Sequence, residues 1–180
     1  MATTSQWTAT ERDLLAAPQD GNKYELVDGQ IRMSPAGARH GQVCVNLSVR
    51  LGSFVSERGL GFVFDSSTGF RLPNGNVRLP DLAYVARGRF EGDRVPEDFS
   101  PIPPDLAVEV LSPSDRPRAV LDKVGEHLGY GVRLIWVIDP AARRATIYRS
   151  LSDVTTIAED GMLDGETILP GFRCRLGEIF

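Results

Sequence analysis

The sequence predicts a mixed α/β fold. The main evidence is the stretch 104–140, PPDLAVEVLSPSDRPRAVLDKVGEHLGYGVRLIWVIDP, in which two apolar runs enclose a turn signal and a helical pattern. Two further observations agree with it, a hairpin signal near the N-terminus and short alternating segments near the C-terminus. Strands and helices that follow one another in this way are typical of the α/β class.

The composition is that of a globular protein, with 180 residues of which 42% are hydrophobic and 24% charged. We expect one domain spanning residues 1–180, because this length suits a single core. No apolar run approaches the ~20 residues of a membrane span, and the start MATTSQWTATERDLL lacks the layout of a secretory signal. We therefore expect a cytoplasmic protein with no membrane partner.

The net charge of −4 argues only weakly against a nucleic-acid partner. A nuclease clusters carboxylates to hold metal and can still place arginines around them, and local arginine groups occur at 87–94, 116–118 and 143–149. Each group alone is more typical of a solvated surface. Cys44 and Cys174 lack metal-ligand spacing, so we expect two buried small apolar side chains rather than a disulfide or a zinc site.

The first predicted elements are a short helix and a hairpin. The sequence TATE at 8–11 fits a capping box that opens the helix. Strands at 24–27 and 30–33 flank Asp28-Gly29, a dipeptide that tolerates the positive φ angles of a two-residue turn. The sequence therefore predicts an N-terminal hairpin.

A long amphipathic helix is predicted next, from 39 to 58, because apolar residues recur there every four positions and Gly59 follows. Breaker residues then separate three strands, at 60–64, 68–72 and 81–85. The segment 86–103 is rich in Gly, Pro and charge, which indicates a surface loop.

The helix of the central stretch follows the turn SPSD at 112–115, whose Ser and Asp side chains are candidate caps, and Pro117 fits its first turn. Its apolar stripe at 100° per residue comprises Val120, Leu121, Val124 and Leu128. Beyond this stretch, three short segments predict a C-terminal antiparallel meander, at 145–148, 154–157 and 167–169.

Glu109 is out of place in this pattern, because it lies inside an apolar strand where a charge is rarely buried without a partner or a metal. Period two in strands puts Asp81 on one face of its strand with Ala83, and Glu109 on one face of the next with Ala107. If those strands are neighbours, the two carboxylates converge. Such a pair suits a hard cation such as Mg²⁺ or Mn²⁺.

Lys123 is the candidate third member of this group. It falls about 60° outside Val120, on the flank of the apolar stripe of its helix. A lysine at that edge can lay its stem on the core and bring its ammonium to the strand end that carries Glu109. There it could position or deprotonate a water, or neutralise charge on a phosphate.

Each candidate also has an interpretation without chemistry. Glu109 and Lys123 could form a salt bridge alone, and Asp81 could cap a turn. His40 and His127 are more often surface or capping residues than ligands. Glu25 alternates with apolar neighbours and lies most simply on the solvent face of its hairpin strand, although that face could line a cleft.

Taken together, the motifs resemble the Uma-type restriction endonucleases, a group within the PD-(D/E)XK nuclease superfamily. The resemblance covers about 24–180 and is carried by YELVDGQIRMSP, a histidine (His40) opening a helix, LPDLAYV, PDLAVEVLSPSD, a helical lysine followed by GYGV, IWVIDP and LPGFRCRL. It implies a restriction-endonuclease-like fold, with a mixed central sheet flanked by helices.

The resemblance also implies a metal-dependent phosphodiester-cleaving site. Asp81 matches the motif aspartate, Glu109 the second acid and Lys123 a lysine moved from the strand onto the following helix. Glu25 matches the acid of the early YEL segment and His40 opens the next helix, so both are auxiliary candidates. Two residues after Glu109 the superfamily pattern expects lysine and this chain has Leu111, so the assignment depends on Lys123 reaching the site.

A second departure from the family is Leu134-Ile135, where members often have Glu-Tyr, which we expect to alter packing or a surface. The resulting hypothesis is an endonuclease dependent on Mg²⁺ or Mn²⁺, acting on DNA, with metal held by Asp81 and Glu109. A homodimer is expected, because cutting both strands of a duplex commonly needs two sites. The alternative is a non-catalytic nucleic-acid-binding or protein-interaction module that keeps the fold.

Overall fold

The computed structural model describes residues 8–18, 20–34 and 37–180. The α-helices of this part of the chain are α1 (Glu11–Leu15), α2 (Ala38–Arg58) and α3 (Pro117–Gly129). Its strands are β1 (Lys23–Val27), β2 (Gln30–Ser34), β3 (Gly61–Asp65), β4 (Phe70–Arg71), β5 (Val77–Arg78), β6 (Leu82–Ala86), β7 (Leu106–Val110), β8 (Leu134–Asp139), β9 (Arg144–Tyr148), β10 (Val154–Ala158), β11 (Met162–Asp164) and β12 (Arg173–Arg175). Within the described ranges, no helix has the length and apolar character needed to cross a lipid bilayer.

A six-stranded mixed sheet forms the centre, in the order β10-β9-β8-β7-β6-β3. The pair β7 and β8 is parallel and is joined through α3, whereas the other neighbouring pairs of this sheet are antiparallel. A parallel pair requires a crossover connection, which the helical pattern after SPSD supplies. The mixed α/β class and the central mixed sheet are confirmed.

The N-terminal hairpin is present, with Asp28 and Gly29 at φ 51° and 70° in its turn. It belongs to a second sheet of order β2-β1-β5-β4. Strand β5 was not predicted, because a two-residue strand shows no periodicity that a sequence pattern can reveal.

The C-terminal meander consists of β9 and β10, which extend the central sheet beyond β8. The strand predicted at 167–169 is wrong, since these residues lie in a turn. This turn instead connects β11 and β12, which form a two-stranded antiparallel ribbon with Leu163 opposite Cys174. Leu169 lies outside any strand, but its side chain is fully buried. The apolar residue that suggested a strand therefore belongs to the hydrophobic core, not to a strand backbone.

The two faces of the central sheet are covered by different helices. Helix α2 buries a stripe at four-residue spacing against the face that carries Tyr84, Val108 and Trp136, and this stripe comprises Val43, Leu47, Leu51 and Val55. Helix α3 buries Val124 against Ala107 on the opposite face. Because Glu109 lies two residues after Ala107, period two places it on the α3 face.

Helix α3 departs from its prediction in two details. Its N-cap is Arg116 rather than a residue of SPSD, and the Asp115 carboxylate instead accepts hydrogen bonds from Ser112 within the turn. Leu121 was expected in the apolar stripe but is 47% exposed, whereas His127 is fully buried. The buried stripe is therefore turned toward His127.

Asp105, directly before β7, is a buried carboxylate at the N-terminal end of this strand, whereas Glu109 lies near its C-terminal end. It accepts hydrogen bonds from Ala86 N at 2.8 Å and Arg133 Nη2 at 2.5 Å, and pairs with Arg89 Nη1 at 3.0 Å. Burial would raise the pKa of Asp105, but these three partners outweigh it and lower the pKa below its ordinary value.

We expect Asp105→Asn to lower the free energy of unfolding by about 2 to 3 kcal/mol at neutral pH. Since the folded-state pKa lies below the unfolded value, this contribution is complete above the unfolded pKa and is lost as the pH falls through the folded pKa. Urea unfolding should thus show a smaller difference between parent and variant at about pH 3 than at about pH 7. The control is Asp160→Asn, which replaces an exposed carboxylate and should leave the free energy of unfolding nearly unchanged at both pH values. If the stability difference between parent and Asp105→Asn did not change with pH, this account would be contradicted.

Candidate active site

The predicted site residues line one cleft of about 530 Å³. Its walls are the hairpin strand β1, the first turn of α2, the end of β7 and the α3 surface. Glu25, His40, Asp81, Glu109 and Lys123 all contribute to its lining. Leu111 lines the same cleft, so the position where the superfamily pattern expects lysine is at the site but carries no charge.

Asp81 and Glu109 are brought together by the pairing of β6 with β7. The antiparallel register joins Leu82 to Val108, so Asp81, the residue before β6, and Glu109, the residue after Val108, lie next to this pair. The Asp81 N–H donates to Val108 O at 2.9 Å, and the Val110 N–H donates to Asp81 Oδ2 at 2.7 Å. The Glu109 carboxylate projects to the α3 side, where Lys123 and His127 contact it. The Asp81 carboxylate lines the same cleft.

The Asp81 carboxylate is paired with two cationic side chains. Lys23 Nζ lies 2.5 Å from Oδ1, and His40 Nε2 lies 3.1 Å from Oδ2. Burial of Asp81 would raise its pKa, but hydrogen bonding to His40 and the charges of Lys23 and Lys123 lower it. The hydrogen bond to Asp81, with a further contact to Cys44, raises the pKa of His40 to about 10 despite its partial burial.

Lys23 was missed by the sequence interpretation, although two signals point to it. It stands two residues before Glu25 in β1, so the two side chains share a face of that strand. The chain contains 20 lysines and arginines, and only Lys23 and Lys123 of these are lysines. Both contact a carboxylate of the cleft.

Glu109 is held between two side chains of α3 that are one helical turn apart. Lys123 Nζ lies 2.8 Å from Oε2, as the helix geometry predicts, and His127 Nε2 lies 3.2 Å from Oε1. His127 Nδ1 has no hydrogen-bond partner among the described residues, which assigns the proton to Nε2 as donor to Glu109. The expectation of a surface His127 is wrong, because this ring packs at the sheet and fixes the carboxylate.

Glu25 lies on the cleft side of β1 and is 5% exposed, so of the two predicted positions its strand face lines a cleft and does not face open solvent. Its Oε1 accepts the Leu79 N–H at 2.8 Å and pairs with Lys123 Nζ at 3.0 Å, while Oε2 lies 3.4 Å from Arg78 Nη1. Burial would raise the pKa of Glu25, but Lys123, Lys23 and Arg78 together lower it to about 2. The ammonium of Lys123 therefore bridges Glu25 and Glu109.

Arg78 also lines the cleft and was missed by the sequence interpretation. It lies on β5 and is 8% exposed, between Glu25 and Glu126 of α3, with its Nη2 at 2.5 Å from Glu126 Oε2. The Asn76 amide also donates to Glu126. This chain of contacts ties the hairpin sheet to α3, so it holds Glu25 close to Lys123.

Carboxylates outnumber cations in this cleft. Six acidic residues line it against four lysines and arginines, with His40 as a fifth cation when protonated. A polyanionic phosphodiester would meet unfavourable charge there unless a cation were added. Asp81 and Glu109 place carboxylate oxygens in the lining of this open cleft, and such oxygens are the donors that hard divalent cations prefer, so the residue types suit Mg²⁺ or Mn²⁺.

Comparison with known proteins agrees with this architecture. A solved structure described as a putative nuclease belonging to DUF820 from Anabaena variabilis superposes with a TM-score of 0.81 at 19% identity, over 95% of this chain and 97% of that chain. This similarity confirms the restriction-endonuclease-like fold. No curated protein matches the chain.

The sequence profile of the Uma2 family, described as "Putative restriction endonuclease", matches residues 11–177. Because that region holds both large sheets and every side chain of the cleft, the chain belongs to the Uma2 family of putative restriction endonucleases.

Proposed function

We propose that the protein is a metal-dependent endonuclease that hydrolyses phosphodiester bonds of DNA. The observation that supports this proposal is that Asp81 and Glu109 line one open cleft that has excess carboxylate, with the Lys123 ammonium on Glu109. Asp81 and Glu109 would hold Mg²⁺ or Mn²⁺. Glu25 and His40 are auxiliary residues that orient Lys123 and Asp81.

A divalent cation in this cleft would offset charge on the scissile phosphate and lower the pKa of the attacking water. The protein's own part is positioning and electrostatics. Lys123 is flanked by Glu25 at 3.0 Å and Glu109 at 2.8 Å, and two carboxylates favour its charged form. A charged ammonium cannot accept a proton, so we assign Lys123 to orienting the water and stabilising developing charge on phosphate.

A second candidate function follows from the same contacts. Glu25, Asp81 and Glu109 each already have a basic partner, so the cluster also satisfies itself as an internal ion-pair network. In a non-catalytic nucleic-acid-binding or protein-interaction module, this network would only stabilise the fold. Cleavage assays separate the two candidates.

The test is cleavage of supercoiled plasmid by the purified parent with Mg²⁺, with Mn²⁺ and with EDTA. Asp81→Asn and Glu109→Gln remove ligand charge at nearly constant volume, so each should abolish metal-dependent cleavage while the fold is retained. The matched control is Asp122→Asn, which removes an exposed carboxylate from the cleft rim and should leave the rate unchanged. A parent that cleaves neither DNA nor RNA with either ion, together with a Glu109→Gln variant that unfolds, would favour the non-catalytic module.

The products of the same assay test the proposed homodimer. Two sites related by a two-fold axis would cut both strands and give linear plasmid directly, whereas one site acting alone gives nicked circles first. Analytical ultracentrifugation of the parent at the assay concentration measures the oligomeric state independently.

A further inference from the structure

A second group of metal-binding side chains adjoins the cleft on its α2 side. His40 and Cys44 lie four residues apart on α2, which places them on the same face of the helix. Cys44 Sγ is 3.6 Å from His40 Nδ1, and His40 Nε2 is 3.1 Å from Asp81 Oδ2. One ligand atom from each of His40, Cys44 and Asp81 can be chosen so that all three lie within 4.8 Å of one another.

We propose that His40, Cys44 and Asp81 form a binding site for a borderline-soft transition-metal ion, Zn²⁺ in particular. A thiolate, an imidazole and a carboxylate are the ligand types that Zn²⁺ takes, and the thiolate disfavours Mg²⁺. Thiolate and carboxylate together supply two negative charges, which match the charge of the ion.

The geometry needs only a small closure to reach tetrahedral coordination. With bonds of about 2.0 to 2.3 Å, the edges of such a site are about 3.3 to 3.8 Å long, so the three ligand atoms must approach by about 1 Å. The His40 ring lies between Cys44 and Asp81, and turning it lets one nitrogen join their sulfur and oxygen around the ion. His40 and Asp81 face the open cleft, which leaves the fourth position to water.

The surroundings of Asp81 allow this arrangement. Oδ2 faces His40 and also accepts the Val110 N–H, whereas Oδ1 faces Lys23, so each neighbour has its own oxygen of the carboxylate. The side chain of His40 is 13% exposed and Cys44 is half-buried, which gives an ion a route from the cleft. Because Asp81 is shared, Zn²⁺ bound here would exclude Mg²⁺ from the nuclease site, a consequence that rests on the proposed function.

Cobalt substitution tests the site without any turnover. Co²⁺ added to the reduced parent should produce a near-ultraviolet thiolate charge-transfer band together with visible bands of tetrahedral intensity, and Zn²⁺ should displace both. Cys44→Ser should lose the charge-transfer band. Cys174→Ser is the matched control, because Cys174 is the other cysteine of the chain and is buried in β12, and it should keep the band.

Circular dichroism of each variant establishes that it is folded before the titration. A parent without the charge-transfer band, a band that persists in Cys44→Ser, or a band that Cys174→Ser abolishes would each overturn the proposal. Plasmid cleavage by a parent that fails this titration would leave the nuclease function standing, so the two failures are distinguishable.

Discussion

Replacing Lys123 with methionine should lower the free energy of unfolding by about 3 to 5 kcal/mol at neutral pH, as expected when one partner of a buried ion pair is removed. The Lys123 side chain is 15% exposed and bridges two carboxylates that are 6% and 9% exposed, Glu25 and Glu109. Methionine keeps the stem that covers the core but leaves these two negative charges facing each other. We also expect metal-dependent cleavage to be lost.

The pH dependence gives this prediction a sharper test. The folded-state pKa of Glu25 is about 2 against an ordinary 4.5, with Lys123 its strongest cationic partner. A depressed carboxylate pKa stabilises the protein above the unfolded pKa, and this contribution is lost as the pH falls through the folded pKa. The stability difference between parent and Lys123→Met should therefore be largest at neutral pH and should shrink between pH 4.5 and about 2.

Urea denaturation across this range measures the effect. Arg32→Met is the control, because it removes a cation that also lines the cleft but is 52% exposed, and it should cost less than about 1 kcal/mol. Lys123→Arg should restore most of the stability and little of the cleavage, because a planar guanidinium cannot reproduce the compact ammonium. If the parent and Lys123→Met had the same free energy of unfolding, Lys123 would not belong to the ion-pair cluster with Glu25 and Glu109.

The backbone of the site was predictable because it depends on short-range periodicity. Period two assigned Asp81 and Glu109 to one face once β6 and β7 are neighbours, and the 100° spacing of α3 brought Lys123 toward that face. Both inferences use only local geometry, and the adjacency of the two strands was a condition that the sequence pattern left open. The functional roles of these three residues remain predictions until cleavage is measured.

The residues that were missed depend on tertiary contacts that no local pattern contains. His127 looked like a surface residue, because a buried histidine is indistinguishable from an exposed one on a helical wheel. The sheet that packs against α3 buries the His127 ring. The hydrogen bond to Glu109 determines which ring nitrogen carries the proton. Arg78 lies on the two-residue strand β5, where its burial depends on Glu25 and Glu126 from two other elements.

Lys23 was also missed, and its removal should strengthen metal binding. Its ammonium lies 2.5 Å from Asp81 Oδ1, so it occupies an oxygen that the proposed metal site requires. A divalent cation and an ammonium about 4 Å apart repel by several kcal/mol at an effective dielectric constant of about 20. The flexible lysine stem can withdraw, so we expect only part of this energy to be recovered on substitution.

Lys23→Met should therefore bind Mn²⁺ about 10- to 100-fold more tightly than the parent. Without the ion, the variant should be less stable than the parent, because the 3% exposed Asp81 carboxylate loses a partner. The rise in melting temperature on adding Mn²⁺ should correspondingly be larger in the variant, since stabilisation by a ligand grows with its affinity. Both effects have one cause, the exchange of one cation for another on Asp81.

Isothermal titration calorimetry measures the affinity directly, with Arg32→Met as the matched loss of one positive charge from an exposed position of the same cleft. If the loss of any positive charge from the cleft were enough to strengthen binding, both variants would gain affinity for Mn²⁺ to a similar degree. A gain confined to Lys23→Met identifies competition at Asp81 itself. If Mn²⁺ binds the parent and Lys23→Met with the same dissociation constant, Lys23 and the metal ion do not share that carboxylate, and the proposed ligand position must move to Glu109 alone.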